Sequence, residues 1–358
     1  EMFGAPRCSL QWHMLQDILR DHCPDGIVHT STRVCALEEH RDWVHVRCER
    51  RQQQPTPDGT AAADDSDAPF NPFANWSQAP AASAGAGGPA PTASFTVRAR
   101  LVIGADGINS TVRAYTTPNQ IKPAYSNSSM IAMIQPTRAP PAEVVEMLQK
   151  QFLKPHGPAF MLHGIRAAEA ESAHEGFHCR LMIGQRGAGL VFFIAFMPLE
   201  EPISSTESKD AVHARLLEHL RSNRFPQSVI DLVADADPAA LETRNLFMHP
   251  VDPAAMSSRP PWFRGRVVLA GDAAHAMPPF LAQGTAQGLC DAQAIVRQVA
   301  RGGCDVGDGA SEKIEGWWNA YVEERWATVA EVQKLTMKEL TEDDMNIYQD
   351  KVYGRVSE

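Results

Sequence analysis

The chain has 358 residues, 44% of them hydrophobic, and a formal net charge of -10 at pH 7. This length allows one large domain or two ordinary domains with a sizeable core. An acidic chain without a cluster of Lys and Arg argues against nucleic-acid binding. The longest apolar runs, such as Leu190 to Leu199, are shorter than the roughly 20 residues of a membrane span. We therefore expect a soluble globular protein with no transmembrane segment and no nucleic-acid partner.

Cysteine usage and the first residues bear on location and completeness. The chain has seven cysteines, none in CxxC spacing, which indicates free thiols in a reducing compartment. It begins at Glu1 with neither an initiator Met nor a signal segment. We expect a cytoplasmic protein whose sequence begins within a longer one.

The first hundred residues combine a helix, strands and a tract of biased composition. Apolar spacing predicts a helix from Ser9 to Cys23 and a strand within residues 27–39. From about Gln52 to Ala93 the chain is Pro, Ala, Gly, Ser and Asp, which cannot form a core, so we predict a disordered loop. The flanking segments, Asp42 to Glu49 and Ser94 to Gly107, read as strands. The tract is therefore interpreted as an enlarged connection between two strands, the second of which includes Arg98 to Gly104.

Two motifs share one pattern, an apolar strand that ends in Gly and then delivers an Asp. They are "LVIGADGINSTVR", which contains Gly104, Asp106 and Gly107, and "VVLAGDAAHAMPPFLAQG", which contains Gly271 and Asp272. Open α/β sheets bind ligands at the carboxyl ends of their strands. The glycines allow close backbone approach or positive φ. A helix predicted after each motif places a helix N-terminus beside each carboxylate.

The second motif has the donors and acceptors for a dinucleotide. Asp272 can accept hydrogen bonds from ribose or ribityl hydroxyls. A helix predicted from Gly284 to Val299 presents the amides near Gly284 and Thr285 to a pyrophosphate or to negative charge on a ring. The two prolines before it form a stiff extended wall. The motif predicts a site for a long, flat cofactor that contains a diphosphate.

The region between the motifs predicts a second domain. From Met130 to about Met248 there are strand candidates in "SMIAMIQP", "CRLMIG" and "GLVFFIAFMPL", and a helix near Asp210 to Ser222. A long amphipathic helix, beginning at Ser311, closes the chain. The region between the motifs is interpreted as a sheet-rich domain. From Gly265 onward the chain again has the strand-turn-helix organisation of the first domain.

Together these motifs resemble the flavin-dependent single-component aromatic hydroxylases, the group that contains para-hydroxybenzoate and salicylate hydroxylases. The resemblance covers nearly the whole chain and implies an α/β fold. It implies a Rossmann-like FAD-binding domain truncated at its N-terminus (1–120 and 251–358, the latter with the C-terminal helix) and an inserted sheet-rich substrate domain (121–250). The residues it assigns to FAD or its electron donor are Arg7, Gly104, Asp106, Gly107, Arg113, Gly271, Asp272, Pro279, Gly284 and Thr285.

In this resemblance Arg7 contacts a flavin phosphate, and Asp106 with Arg113 serves FAD and the nicotinamide donor. Pro279 lines the isoalloxazine ring. Tyr321 and Arg325 of the closing helix are interpreted as scaffold, and His275 as support for the turn.

The activity implied is monooxygenation. NAD(P)H reduces FAD, dioxygen forms a flavin hydroperoxide, and oxygen passes to a small aromatic or polyketide-like substrate. The sequence assigns no catalytic residue and no oligomeric state. Polar candidates for substrate contact in the middle domain are Tyr125, His163, Arg166 and His178.

Departures from the family pattern leave alternatives open. Ala282 stands where Gly is usual and Ala286 where Asn is usual; an alanine at 282 is costly only if its φ is positive. The GxGxxG turn and its βαβ unit, on the order of 30 residues, are absent from this sequence. An epoxidase or reductase of the same superfamily, or an inactive fragment that binds FAD poorly, are the alternatives.

The segment "HEGFH", His174 to His178, matches the HExxH pattern of zinc proteases. Gly176 weakens a helix there, a strand-like segment follows at once, and no third ligand can be nominated. We therefore expect no metal site.

Overall fold

The structure is a computed structural model that describes part of the chain: residues 12–51, 92–117, 122–134, 140–150, 159–164, 179–186, 190–251, 261–303, 306–307 and 309–337. The chain divides into two compact units, residues 1–99 and 100–358. Arg7, Arg166, the HEGFH segment and residues 52–91 of the predicted loop lie outside the described residues. Within the described residues, no helix combines the length and apolar character needed to cross a membrane.

The first unit contains a helix and an antiparallel sheet. Helix α1 spans Trp12–Asp21, and the sheet has the order β1-β2-β3. The strands are β1 Thr32–Glu39, β2 Val44–Arg51 and β3 Thr92–Ala99. Because β2 and β3 are paired neighbours, the tract after β2 joins two strands of one sheet, as predicted.

The prediction of one strand from Arg98 to Gly104 is wrong. Strand β3 ends at Ala99, and β4, Val102–Gly104, belongs to a different sheet in the second unit. Apolar and polar residues alternate up to Arg100, and a continuous apolar run, Leu101 to Ile103, follows; both patterns are typical of strands, so the change from one to the other does not by itself predict a break. It arises from pairing, because β3 runs antiparallel to β2 whereas β4 runs parallel to β11.

The two motifs of the second unit lie on neighbouring strands of one small sheet. Its order is β10-β11-β4, with β10 at Phe263–Arg264 and β11 at Val267–Leu269, and β4 and β11 are parallel. Their carboxyl ends therefore lie at the same edge, as the sequence predicted. The helices that follow are α2 Thr111–Thr116, α6 Asp272–His275, α7 Gly284–Arg301 and α8 Ser311–Thr336.

The region between the motifs forms an antiparallel sheet with the order β6-β7-β8-β5-β9. Its strands are β5 Ala124–Met133, β6 Ala159–His163, β7 Arg180–Arg186, β8 Leu190–Pro198 and β9 Glu242–Met248. The helices of this region are α3 Ala142–Leu148, α4 Lys209–Ser222 and α5 Gln227–Ala234. The mixture of helices and sheets confirms the predicted α/β class, and the sheet-rich character of this region is confirmed, although β6 and β9 were not foreseen.

The two faces of this sheet differ. On one face, Ile131, Leu181 and Ala195 pack with Leu216 and Val229 of the helices in one hydrophobic core. Residues paired directly across neighbouring strands point to the same face. The next register therefore places a row of side chains on the opposite face, and exposed His163 of the edge strand is its first member. We call the four buried residues that follow in this row the arginine face: Arg180, Phe196, Met130 and Arg244.

Candidate functional site

The turn after β11 contains Gly271 and Asp272, and we call it the Gly-Asp turn and the second motif the Gly-Asp motif. It is held in a conformation that only glycine adopts easily. Gly271 has φ +58° and ψ -141°, in the region that is nearly exclusive to glycine. A Cβ added there would lie 3.8 Å from the Cα of Gly288, so helix α7 passes directly beside the turn. A Cβ added to Gly284 would lie 3.8 Å from Oδ1 of Asp272. The turn therefore places the Asp272 carboxylate against the first turn of α7.

The environment of Asp272 favours a ligand that donates hydrogen bonds. Burial raises the pKa of its carboxyl group, and nearby His275 opposes that rise. A carboxylate that has lost water gains from donors that replace it. Ribityl or ribose hydroxyls are donors of this kind, and the role of Asp272 toward them stays a prediction.

The first turn of α7 supplies donors beside that carboxylate. The amide of Gln287 already donates to the carbonyl of Gln283. The amides of Gly284, Thr285 and Ala286 precede it, where a helix offers no acceptor of its own, and the side chains of the last two are exposed. The dipole adds positive potential at this end. Donors and carboxylate together fit the anionic and hydroxyl-bearing parts of FAD.

Ala282, just before this helix, has a left-handed backbone. Its φ is +53° and its ψ is 32°, and its amide donates to the carbonyl of Pro279 at 3.0 Å. Glycine adopts this conformation without penalty, whereas alanine does not. Ala282 therefore carries strain at the position where the family pattern has glycine.

A buried carboxylate joins the turn to two helices. Asp291 of α7 accepts hydrogen bonds from the amide of Gly271 at 2.8 Å, Nε2 of His275 at 2.6 Å and Nε of Arg325 at 2.9 Å. Burial alone would raise the pKa of Asp291, but His275 and Arg325 outweigh it and hold that pKa below its usual value. Asp291 is not among the site residues that the sequence predicted. Its signal is an Asp whose i+3 and i+4 neighbours, Ala294 and Ile295, are apolar and buried.

Helix α8 braces the motif, as expected of a scaffold. Arg325 also donates through Nη2 to Oε1 of Gln287 at 2.6 Å. The hydroxyl of Tyr321 donates to the carbonyl of Leu269 at 3.0 Å. The side chains of Tyr321 and Arg325 therefore form hydrogen bonds within the protein, which is what a structural role requires.

The first motif is tied to the second. The Asp106 carboxylate accepts from the amides of Thr111 at 2.7 Å and Val112 at 3.2 Å, and so caps helix α2. Arg113 is buried, and its Nη1 donates to the carbonyls of Ala273 and Ala274, each at 2.9 Å. These contacts are structural, and a role for Asp106 and Arg113 toward the nicotinamide donor stays a prediction.

Two glycines of the first motif have separate roles. A Cβ on Gly104 would lie 2.6 Å from Cβ of Val112, so α2 packs on β4 only because this residue lacks a side chain. Gly107 has φ +79°, which a glycine tolerates in the turn before α2.

The Gly-Asp motif extends to the arginine face. Phe280, which follows Pro279 in a short 3-10 helix, stacks edge-on against Phe196 with ring centroids 5.4 Å apart. The guanidinium carbon of Arg180 lies 5.9 Å from the Phe280 ring centroid. The segment predicted to line the flavin ring therefore contacts the sheet of the middle region.

Both arginines of this face are buried, with 6% of Arg180 and 9% of Arg244 exposed. Burial lowers the pKa of the Arg244 guanidinium, and the Glu242 carboxylate 4.0 Å away opposes that shift. Neither arginine is among the residues that the sequence predicted for the site. Their signal is a charged residue in phase with apolar residues of a strand, as Arg180 is with Met182.

Two of the predicted polar candidates, His163 and Tyr125, lie within the described residues. His163 pairs with Arg180 at the edge of the sheet and is exposed. The Tyr125 hydroxyl hydrogen-bonds Oγ of Ser129 at 2.9 Å, and Ser129 pairs with Met197 of the helix-covered core.

Residues 81–333 match the FAD binding domain family. The chain belongs to this family. The match includes both motifs and the sheet between them. It confirms the resemblance to FAD-dependent aromatic monooxygenases that the motifs indicated.

Individual relatives are more distant. The chain is 34% identical over 108 residues to the chloroplastic zeaxanthin epoxidase of Oryza sativa subsp. japonica, which covers 29% of this chain and 14% of that enzyme. The structure of Klebsiella pneumoniae HpxO complexed with FAD and uric acid aligns with TM-score 0.52 and 18% identity over 95% of this chain and 67% of that one. For FqzB the values are 0.54 and 16%, over 91% and 60%. At these low identities, the structural alignments establish a shared fold alone. The chain spans 60 to 67% of the length of the two solved structures.

Proposed function

We propose that this chain carries the flavin and substrate sites of an FAD-dependent monooxygenase that uses NAD(P)H and dioxygen to hydroxylate a small aromatic or polyketide-like compound. The observation that carries the proposal is the contact of Phe280 with the arginine face, which joins the flavin motif to a polar sheet surface. Cysteine usage supports a reducing, cytoplasmic location.

The flavin half of the site rests on residues of the Gly-Asp motif. Asp272 accepts hydrogen bonds from sugar-like hydroxyls, and the first-turn amides of α7 donate to negatively charged groups. Pro279 fixes the direction of the chain before that helix. When bound, FAD supplies the redox chemistry that transfers one oxygen atom of dioxygen to the substrate, with electrons from NAD(P)H.

The substrate half rests on the arginine face. Phe196 and Phe280 offer aromatic surface to a planar compound. Arg180 and Arg244 offer charged donors that are largely removed from water, where hydrogen bonds to carboxylate or carbonyl oxygens are strong. We propose that they orient an oxygen-rich aromatic substrate and that the packed sheet behind them excludes water. The uric acid bound by the similarly folded HpxO is a planar compound of this type.

An epoxidase is the second candidate, favoured by the partial match to zeaxanthin epoxidase. An epoxidase and a hydroxylase consume dioxygen and NAD(P)H alike but give different products. A reductase consumes NAD(P)H without dioxygen. Product analysis together with an oxygen electrode separates the three.

The test is NAD(P)H oxidation by the FAD-loaded chain with 4-hydroxybenzoate, salicylate and uric acid, and with neutral 4-hydroxybenzamide. We expect at least one oxygen-rich acid to be hydroxylated with equal consumption of dioxygen and NAD(P)H. Arg180→Gln should then raise KM for that acid about tenfold or more, which corresponds to loss of one charge-assisted hydrogen bond. Arg221→Gln, at an exposed arginine of α4, is the matched control and should leave KM unchanged. Reduction of substrate without oxygen uptake would contradict the proposal.

A further inference from the structure

Three metal-ligating side chains converge on the hairpin between β1 and β2. Glu38 and His45 are directly paired across the two strands, and His40 begins the turn that joins them. Nε2 of His40 lies 3.1 Å from Nδ1 of His45 and 3.7 Å from Oε1 of Glu38. The ligand atoms of the three residues all lie within 4.8 Å of one another. The cluster belongs to the first unit, whereas Gly271 and Asp272 belong to the second.

These separations suit a single small metal ion. Zinc binds imidazole nitrogen and carboxylate oxygen at about 2.0–2.2 Å in tetrahedral geometry. Two ligand atoms of such a tetrahedron are about 3.3 Å apart, because the tetrahedral edge is about 1.6 times the bond length. The two separations from Nε2 of His40, 3.1 Å to His45 and 3.7 Å to Glu38, lie on either side of this value.

The hairpin fixes much of this arrangement without a metal. The amide of His40 donates to the carbonyl of Trp43 at 2.8 Å, which closes the turn. The His40 and His45 rings pack at 4.4 Å between centroids, and the Trp43 ring lies 5.6 Å from His40. Two imidazoles are therefore held together by backbone pairing and ring packing. Such preorganisation lowers the entropy lost when a ligand binds.

The donor types decide which ion is favoured. Two imidazoles and one carboxylate select Zn²⁺, Cu²⁺ or Ni²⁺ over Mg²⁺ and Ca²⁺, which require oxygen ligands. Arg98 pairs with His45 on the other side, and its guanidinium stacks 3.6 Å from the Trp43 ring centroid. Its charge weakens cation binding, so we expect moderate affinity.

We propose that Glu38, His40 and His45 form a zinc site with three protein ligands and a fourth position open to water. A direct His40 to His45 hydrogen bond is the competing explanation for the 3.1 Å separation. The two explanations differ in what happens when metal is added.

The experiment titrates the metal-free full chain with Zn²⁺ by calorimetry and with Co²⁺ by visible absorption. Wild type should bind one more Zn²⁺ per chain than His40→Gln or His45→Gln, or bind it at least about 10- to 100-fold more tightly. Glu38→Gln, which keeps a neutral oxygen ligand, should weaken binding less. Affinity should fall in acid, since Zn²⁺ competes with protons for the imidazoles.

His22→Gln is the matched control, because His22 is an exposed histidine on the first unit outside the cluster. It should bind Zn²⁺ as wild type does, which excludes general histidine binding. Circular dichroism shows whether each variant is folded, and Glu38→Gln, at an exposed position, keeps the test valid if a histidine variant is not. Equal stoichiometry and affinity in wild type and all cluster variants would overturn the zinc site and leave the hydrogen bond as the explanation.

Discussion

Replacing Ala282 by glycine should stabilise the protein. The residue has φ +53°, and its side chain is exposed, so the substitution removes left-handed strain without loss of packing. The strain relieved is about 1–2 kcal/mol for an L-residue. The greater conformational freedom of glycine in the unfolded chain reduces this gain by about 0.4–1 kcal/mol. The net expectation is a gain of up to about 1.6 kcal/mol, with a central value of about 0.8 kcal/mol, in the free energy of unfolding.

Ala286→Gly is the matched control. It is the same substitution four residues later, at another exposed position, but inside helix α7. There glycine should cost about 0.5–1 kcal/mol, because it lacks the helix propensity of alanine. Urea unfolding followed by circular dichroism measures both, as midpoint shifts of opposite sign at a constant slope. If Ala282→Gly destabilises as much as Ala286→Gly, the left-handed strain at Ala282 does not exist.

Three further predictions concern titratable groups. Asp291→Asn should cost about 3–5 kcal/mol in urea unfolding, because it leaves buried Arg325 without its anion. Burial and the charge of Arg113 hold the pKa of buried His249 at about 4. As the pH falls, this histidine is therefore protonated in the unfolded chain before it is protonated in the folded protein. Up to about 3 kcal/mol of stability should therefore be lost between about pH 6.5 and pH 4, and His249→Gln should flatten that part of the stability profile. Burial raises the pKa of Asp272, and the hydroxyls of the ligand donate hydrogen bonds to its ionised form. FAD affinity, measured by fluorescence, should therefore fall as the pH drops through that pKa. An affinity that does not change with pH would contradict this role.

The elements that the sequence predicted are those with strong local signals. The strand before Gly271, the helix from Gly284 and the closing helix follow from apolar periodicity and glycine placement, and all three are present. The placement of Asp272 beside Gly284 followed from the helix predicted directly after the motif. The rule that parallel strands end at one edge brought the two motifs together.

What the sequence did not predict depends on pairing between distant segments. Arg180 and Arg244 share a face only because β7, β8, β5 and β9 pair in one register, and no local pattern records that register. Asp291 likewise has partners 16 and 34 positions away. The sequence also does not give the sign of φ at Ala282, which decides whether an alanine there is strained; the backbone of the structure shows that φ is positive.

The most direct test of the account is a titration of this chain with FAD, followed by flavin fluorescence, in wild type and Asp272→Asn. Asp231→Asn, at an exposed carboxylate of α5, is the matched control. We expect saturable binding that is weakened about tenfold or more by Asp272→Asn and unchanged by Asp231→Asn, since a charge-assisted hydrogen bond contributes roughly 1.5–3 kcal/mol. Absence of saturable binding, or equal affinity in all three proteins, would contradict the flavin site described at the Gly-Asp turn.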